Sequence, residues 1–340
     1  MSELFQPFQI KDLNLKNRVV MAPMCQYSVE KQDGTPNDWH YTHYVSRAVG
    51  GTGLVIVEMT NVEPAGRISN QCLGLWSDDQ IPAYRRITDA AHQQGSKIAI
   101  QIAHAGRKAE DTEHPVAPSA IAYNETSKQP RALTTTEVKD MVEKFKQSAR
   151  RAVEAGFDAI ELHGAHGYLI HQFHSPYTNK RTDEYQEYTR FGSEVIQAVK
   201  EEMPEGMPLL MRISATEFVE EGYTLEDGVE KAIAYQEAGV DMFHISAGGE
   251  GAISPTRHPG THQGYMLPFA RAMRDALDVP TIAVGSLDDS ALANAVIGNA
   301  DADLVAIGRG LLRDPYWAIH AARKLQQEIE IPKQYARGFA

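Results

Sequence analysis

Two imidazoles three residues apart, with a phenol two residues beyond, give the stretch His163-Gly164-Ala165-His166-Gly167-Tyr168 its chemical character. Where a buried run gives way to a loop, such a pair can aim two N–H groups at one oxygen. Tyr168 stands close by as a proton source, so the set suits stabilising and protonating an enolate. His171 and His174 follow, and the four histidines can also be read as metal ligands. No H-E-x-x-H signature is present, and the first apolar run ends in Pro23-Met24-Cys25 rather than in ligands. Spacing alone leaves donor pair and metal site nearly even. His171 and His174 lie beyond the turn and are read as structural.

Two further junctions, Gly285-Ser286 and Gly308-Arg309, have the makings of a phosphate site. Glycines let backbone N–H groups approach an anion, and Arg309 adds charge. Tight turns would explain the glycines equally well; the arginine directly after Gly308 favours phosphate. By contrast, Gly50-Gly51-Thr52-Gly53 precedes an apolar run, which makes it a helix-to-strand joint.

Eight short apolar runs carry these residues: Arg18–Met21, Leu54–Glu58, Lys97–Ile102, Ala159–Leu162, Leu209–Ile213, Met242–Ile245, Thr281–Val284 and Leu304–Ile307. They lack strict alternation, as strands buried on both faces do. Between them lie amphipathic stretches such as Thr135–Ala155, where Thr134 and Glu137 form a capping pair and Val138, Met141, Val142, Phe145, Ala149, Ala152 and Val153 share a face. Helices are expected to close at Gly50–Gly51, Gly95, Gly156, Gly239 and Gly298. Glu154-Ala155-Gly156-Phe157-Asp158 and Glu237-Ala238-Gly239-Val240-Asp241 are near copies of one joint.

Eight β/α units predict a single (β/α)8 TIM barrel over residues 1–340, with an open doubly wound sheet as the disfavoured rival. A hairpin at Phe8–Leu15 would cover the barrel floor, and a tail would follow the last helix. The chemically unusual residues then share one address, the C-terminal strand ends, where barrel enzymes work. Gln101, His104-Ala105-Gly106-Arg107-Lys108, Arg212 and Ser246-Ala247-Gly248-Gly249 fall there too.

The bulk composition narrows the partners. Thirty-three basic against 45 acidic residues give a formal charge of -12, which argues against nucleic acid and anionic membranes while allowing a local phosphate site. Cys25 and Cys72 are the only cysteines, which argues against a disulfide framework and excludes a four-cysteine cluster. Met1–Ile10 lacks a secretory pattern and no apolar stretch reaches membrane-spanning length, so the cytoplasm is the expected compartment.

Taken together, Pro23-Met24-Cys25, Gln101 with His104-x-Gly106-Arg107, His163-x-x-His166-Gly167-Tyr168, Asn179-x-Arg181-Thr182-Asp183-Glu184-Tyr185 and Gly308-Arg309-x-Leu311-Leu312-x-Asp314-Pro315 resemble the old yellow enzyme family, from about Phe5 to the C-terminus. Cys25, Tyr27 and the terminal Tyr335-Ala336-Arg337-Gly338-Phe339 resemble its bacterial NADPH dehydrogenase subgroup. The resemblance implies noncovalent FMN at the barrel mouth, with Ala22, Pro23, Met24, Cys25 and Met59 along the isoalloxazine and Gln101 and Arg212 near its pyrimidine. Ser246, Gly285, Ser286, Gly308 and Arg309 would hold the ribityl phosphate. His163 and His166 would bind a carbonyl or nitro oxygen, Tyr168 would donate the proton, and Tyr27 would contact substrate. NADPH or NADH would deliver hydride, and an enone or nitro compound would collect it in a second half-reaction. Arg337 would reach the neighbouring subunit's site in a homodimer or homotetramer.

The family usually follows Arg-Thr-Asp-Glu-Tyr with Gly-Gly-Ser, two further residues including Glu, and Asn-Arg. Here Gln186-Glu187-Tyr188-Thr189-Arg190-Phe191 is shorter, which puts the loop entering the fourth barrel helix in doubt. A metal-dependent barrel hydrolase and a catalytically silent flavin-binding sensor are the competing readings.

Overall fold

Val-, Ile- and Leu-rich runs without alternation need cover on both sides, and a closed parallel barrel ringed by helices supplies it. The structure, a computed structural model, describes residues 2–254 and 260–339. Its barrel strands are β1 (Val19–Met21), β2 (Leu54–Asn61), β3 (Lys97–Ala103), β4 (Ala159–Gly164), β5 (Leu209–Ser214), β6 (Met242–Ser246), β7 (Thr281–Ala283) and β8 (Leu304–Ile307). They pair in chain order and close through β8 on β1, so the open-sheet alternative falls. The longer helices between and after them are α1 (Asp38–Val49), α2 (Ile81–Gln93), α3 (Thr135–Glu154), α4 (Arg190–Glu202), α5 (Leu225–Ala238), α6 (Leu267–Ala276), α7 (Ser290–Gly298) and α8 (Trp317–Lys324), with short helices at Leu169–His174, Arg309–Arg313 and Ala336–Phe339.

Alternate residues of each strand serve two cores. Val20, Leu54, Ile56, Ala99, Leu210 and Leu304 fill the barrel, while Val19, Val55, Ile98, Leu209 and Val305 pack outward among the helices. The hairpin forms as Phe8–Ile10 paired with Leu13–Leu15, and Leu13 and Leu15 join the interior cluster, closing the floor. Chemistry is thereby left one open end.

Several strands outrun their apolar runs. β4, β5 and β6 continue through Gly164, Ser214 and Ser246, because ladder pairing with neighbours, here Ser246 opposite Ser214 and Gly164 opposite Ile213, holds polar residues in place. β2 runs on to Asn61 across a register shift between Val57 and Thr60. That irregularity re-aims the side chains near Glu58 and Met59.

The capping pair forms at α3: Thr134 Oγ1 accepts from Glu137 N–H and the Glu137 carboxylate accepts from Thr134 N–H. Gly95, Gly156 and Gly239 adopt left-handed φ after their helices, whereas Gly298 is the last residue of α7 and Ala300 takes the left-handed place at φ 58°. The copied joints have a clear physical role. Asp158 donates its N–H to Ile98 O (2.8 Å) and accepts from Ile98 N–H through Oδ2 (2.9 Å). Asp241 does the same with Leu209 (2.8 and 2.9 Å), and Asp303 with Thr281 (3.0 and 2.9 Å). Each carboxylate clasps the start of one strand to the next.

Tyr185 sits in a 3-10 turn, Glu184–Gln186, from which a short turn through Glu187, Tyr188 and Thr189 leads into α4. Arg190 bridges Glu184 (2.7 Å) and Glu194 (2.9 Å), and the buried Tyr185 hydroxyl donates to Glu194 (2.8 Å), so the loop is closed by its own helix. No helix among the described residues is long and apolar enough to cross a membrane.

Candidate active site

The donor turn leaves β4 under backbone strain. His163 is the penultimate strand residue, and His166 and Gly167 then take φ 59° and 72°. A Cβ on Gly167 would lie 2.6 Å from Gly249 O, so glycine is required there. A non-glycine residue in this conformation costs about 1–3 kcal/mol and persists only where surroundings hold it. They do so from several sides. His166 N–H donates to Ser214 Oγ (3.1 Å), Lys108 Nζ donates to His166 O (2.9 Å) and Gly249 O (3.1 Å), and Gln172 Nε2 donates to Gly167 O (2.7 Å). Gly167 N–H donates to His171 Nδ1 (3.0 Å), leaving its Nε2–H to donate to Glu217 (2.9 Å).

The turn brings three rings together. His163 lies edge-on to His166 at 5.2 Å and to Tyr168 at 4.8 Å between centroids. His163 Nδ1 accepts from Ala165 N–H (3.3 Å), which fixes the proton of its neutral ring on Nε2. His166 Nε2 sits 2.6 Å from Ser246 Oγ, so Ser246 touches the donor pair as well as the cavity. Burial, reinforced by the Arg212 guanidinium, pushes both imidazoles well below their usual range and keeps them neutral N–H donors. Burial raises Tyr168, which therefore retains its proton.

As to metal, the described residues place His171, Glu217 and Glu250 within ligand distance of one another, all buried. His163 and His166 are not part of that set. His174 is committed to Tyr235 (3.0 Å), in keeping with a structural role.

A 590 Å³ cavity opens at the mouth. Ala22, Pro23 and Met24 form one wall, His166, Arg212 and Ser246 another, and Gly285, Ser286, Gly308 and Arg309 the far end. The residues present fit FMN. Arg212 is buried with Nε unpartnered, a cation turned toward whatever fills the slot. At Gly308 a Cβ would meet nothing nearer than Met24 Sδ at 3.6 Å, so backbone is laid bare. Arg309 Nη2 donates to Ser286 Oγ (3.1 Å), placing charge and hydroxyl at one end.

Other expected residues lie outside the lining. Gln101 is buried behind it, donating to Glu161 Oε1 (2.8 Å), whose Oε2 accepts from His244 Nδ1 (2.9 Å). Met59 and Cys25 pack in a small cluster with Cys72 and Tyr168. Tyr27 stands at φ 50° and is exposed. Arg337 lies on an exposed terminal helix, Ala336–Phe339, whose Phe339 rests on His320 of α8. Sequence reasoning passed over the roles of Lys108, the Glu161–His244 pair and the lining residues Gln263, Tyr265 and Met266. Glu161 and His244 were detectable as polar residues inside apolar runs; the others carry no local signal.

A parallel barrel with an apolar wall, a buried cation and a phosphate-sized polar end defines the flavin-dependent oxidoreductases of barrel type. Residues 3–328 match the NADH:flavin oxidoreductase / NADH oxidase family, and the chain belongs to it. It is 48% identical over 344 aligned positions to an NADPH dehydrogenase of Listeria monocytogenes, covering 100% of both chains. To an NADPH dehydrogenase of Bacillus subtilis it is 46% identical over 341 positions, covering 99% of each. Among solved structures, morphinone reductase in complex with tetrahydroNAD matches with a TM-score of 0.79 at 29% identity, over 97% of this chain and 92% of that one. The chain is an old-yellow-enzyme-type oxidoreductase that uses FMN and a nicotinamide hydride donor.

Proposed function

We propose that the enzyme is an ene-reductase acting by a ping-pong cycle on activated C=C bonds of α,β-unsaturated carbonyls and on nitro compounds. The carrying observation is the cluster of two neutral imidazoles and one protonated phenol on a single turn. Bound FMN supplies the hydride relay between nicotinamide and alkene. His163 and His166 direct N–H groups at the substrate oxygen and hold the charge that gathers there, the task of preorganised oxyanion donors. Being neutral, they stabilise the enolate without giving up a proton. Tyr168 delivers that proton to the α-carbon. Arg212 keeps a positive charge in the cavity wall, Arg309 and Ser286 anchor the phosphate end, and Pro23 and Met24 shape the apolar wall, with Cys25, Met59 and Gln101 supporting the flavin site from outside the lining. Tyr27 contacts substrate at the rim.

The test is NADPH or NADH oxidation dependent on cyclohexenone or a nitroalkene, with both substrates varied. Parallel double-reciprocal lines and a saturated ketone product support the reading. Intersecting lines, or no enone-dependent turnover by FMN-loaded protein, overturn it. Chelator-sensitive hydrolysis would point to the metal reading instead.

Arg337 is exposed on a terminal helix, and we propose that it acts in the active site of a neighbouring copy within a homodimer or tetramer. Its planar guanidinium can stack on an aromatic substrate and donate hydrogen bonds together. Chains truncated after Gln334, mixed with His163→Ala His166→Ala chains, should regain activity. Demonstrated subunit exchange without recovery would refute it.

A further inference from the structure

A second, smaller cavity of 280 Å³ lies beside the donor turn, bounded by Arg107, Lys108, Tyr123, Asn124, Ser127 and Lys128. Lys108 joins the two places. Its ammonium donates to His166 O (2.9 Å) in the turn, and it lies 5.0 Å from the Tyr168 ring centroid and 4.4 Å from that of Tyr123. Lys128, on the segment after Tyr123, donates to Glu110 O (2.9 Å) and Thr112 O (2.8 Å). An ammonium carries three N–H donors, and each of these lysines directs two of them at carbonyls. Neither is ion-paired among the described residues, although acidic residues outnumber basic ones by 45 to 33. Arg107 adds no net charge, because its guanidinium is buried against Glu250 (3.2 Å). Glu110, the one carboxylate on the lining, is exposed to water. The cavity thus faces two ammonium groups, each with a donor still to place.

We propose that this cavity is a subsite for a phosphate group of the nicotinamide hydride donor, held by Lys108 and Lys128. The inference rests on the ping-pong reading, in which nicotinamide and alkene take turns at the barrel mouth. A nicotinamide ring seated at the His163–His166 pair must trail its ribose and phosphates away from the turn, and Lys108 is the cation attached to that turn. In the same reading FMN fills the phosphate end at Gly285, Ser286, Gly308 and Arg309, so the donor's phosphates need cations elsewhere. The glycine-rich Gly50-Gly51-Thr52-Gly53 joint precedes its strand and cannot serve. A chain of charge -12 repels a polyanion at long range, and a local pair of ammonium groups offsets that repulsion where the ligand docks. Lysine suits the task, as a point charge on a flexible stem whose donors rotate to meet phosphate oxygens. Two sources share this chemistry: the pyrophosphate common to NADH and NADPH, and the extra ribose phosphate that only NADPH carries.

Lys128→Met is the test variant, since Lys128 is exposed and its bonds do not reach the donor turn. FMN-loaded protein is mixed anaerobically near neutral pH, below the value of about 8 to which burial lowers Lys108, so that both lysines are charged. The donors are NADPH, NADH and N-benzyl dihydronicotinamide, which carries no phosphate. Bleaching of FMN against donor concentration gives the apparent dissociation constant. For NADPH it should rise about five- to tenfold, between an exposed ion pair and a shielded charge-assisted bond, with the limiting bleaching rate unchanged. An equal rise for NADH assigns the site to the pyrophosphate, and a rise for NADPH alone assigns it to the extra ribose phosphate. The benzyl compound should bind as it does to wild type, and Lys128→Arg should keep most of the NADPH affinity. Added potassium chloride should weaken NADPH binding more in wild type than in Lys128→Met. An NADPH constant within about twofold of wild type, or an equal loss with the benzyl compound, overturns the proposal. Bleaching needs no alkene, so a failed enone assay with this pattern intact strikes the ene-reductase reading alone.

Discussion

Lys108→Met tests whether the donor turn is held from outside. The ammonium makes two bonds, to His166 O and Gly249 O, and lies 5.0 Å from the Tyr168 ring centroid. Bonds from an ionised donor contribute about 1.5–3 kcal/mol each when shielded; the Gly249 bond is exposed, so roughly 2–3 kcal/mol in all is a fair sum. That is comparable with the ~1–3 kcal/mol of strain at His166. Ser214, His171 and Gln172 still grip the turn, so it should loosen rather than collapse. Reimposing the geometry on each substrate should then cost ~1.4–2 kcal/mol, about ten- to thirtyfold in kcat/KM for an enone. Burial lowers Lys108 to about 8, so in the wild type the charge, and with it kcat/KM, should decline as pH rises through that value. The variant should lack this step. FMN content and thermal midpoint serve as controls, since the residue touches neither the phosphate end nor the main core. A variant within about twofold of wild type, with the same alkaline decline, would show that Lys108 does not hold the turn.

Three further outcomes follow from the same geometry. Tyr168→Phe keeps the ring and removes the proton, so reduction by NADPH should be nearly unchanged in stopped flow while enone turnover falls, less so with nitroalkenes; an equal loss in both half-reactions would make Tyr168 a binding residue. Arg309→Ala should weaken FMN retention on dilution yet leave the enone rate per bound FMN close to normal; unchanged retention would remove the arginine from the phosphate end. Burial holds His40 near 4 and His43 near 3, with His163, His166 and His174 also depressed. The unfolded chain therefore binds more protons below about 6.5, and stability present above that pH is lost on acidification, by up to ~1.4 kcal/mol per pH unit for each histidine; a urea midpoint that stays flat from neutral pH to pH 5 would contradict this.

The barrel was legible because two-sided burial leaves strands such as Leu304–Ile307 without polar interruption, and because the Thr134–Glu137 cap is written in adjacent residues. The strand-end address of His163, His166, Arg212 and Arg309 was legible for the same reason. Other features depend on partners distant along the chain. Lys108 acts on a carbonyl in the His166 turn, and nothing near Lys108 marks that target. Left-handed backbone at Tyr27, His166, Ser286 and Ala300 falls on residue types that do not advertise it. Strand lengths were underestimated where pairing, rather than hydrophobicity, carries the ladder through Gly164, Ser214 and Ser246.

The aspartate clasps before β4, β6 and β8 mark three strand doublets, β3–β4, β5–β6 and β7–β8. A cut before an odd-numbered strand leaves each carboxylate with its partner, whereas a cut inside a doublet strands one. Each of these doublets is thus a block that carries its own seam, suited to exchange between related barrels. A chimera joined ahead of Leu209 should inherit an intact β5–β6 doublet, while one joined at Gly239 must rebuild the Asp241 clasp from a foreign strand.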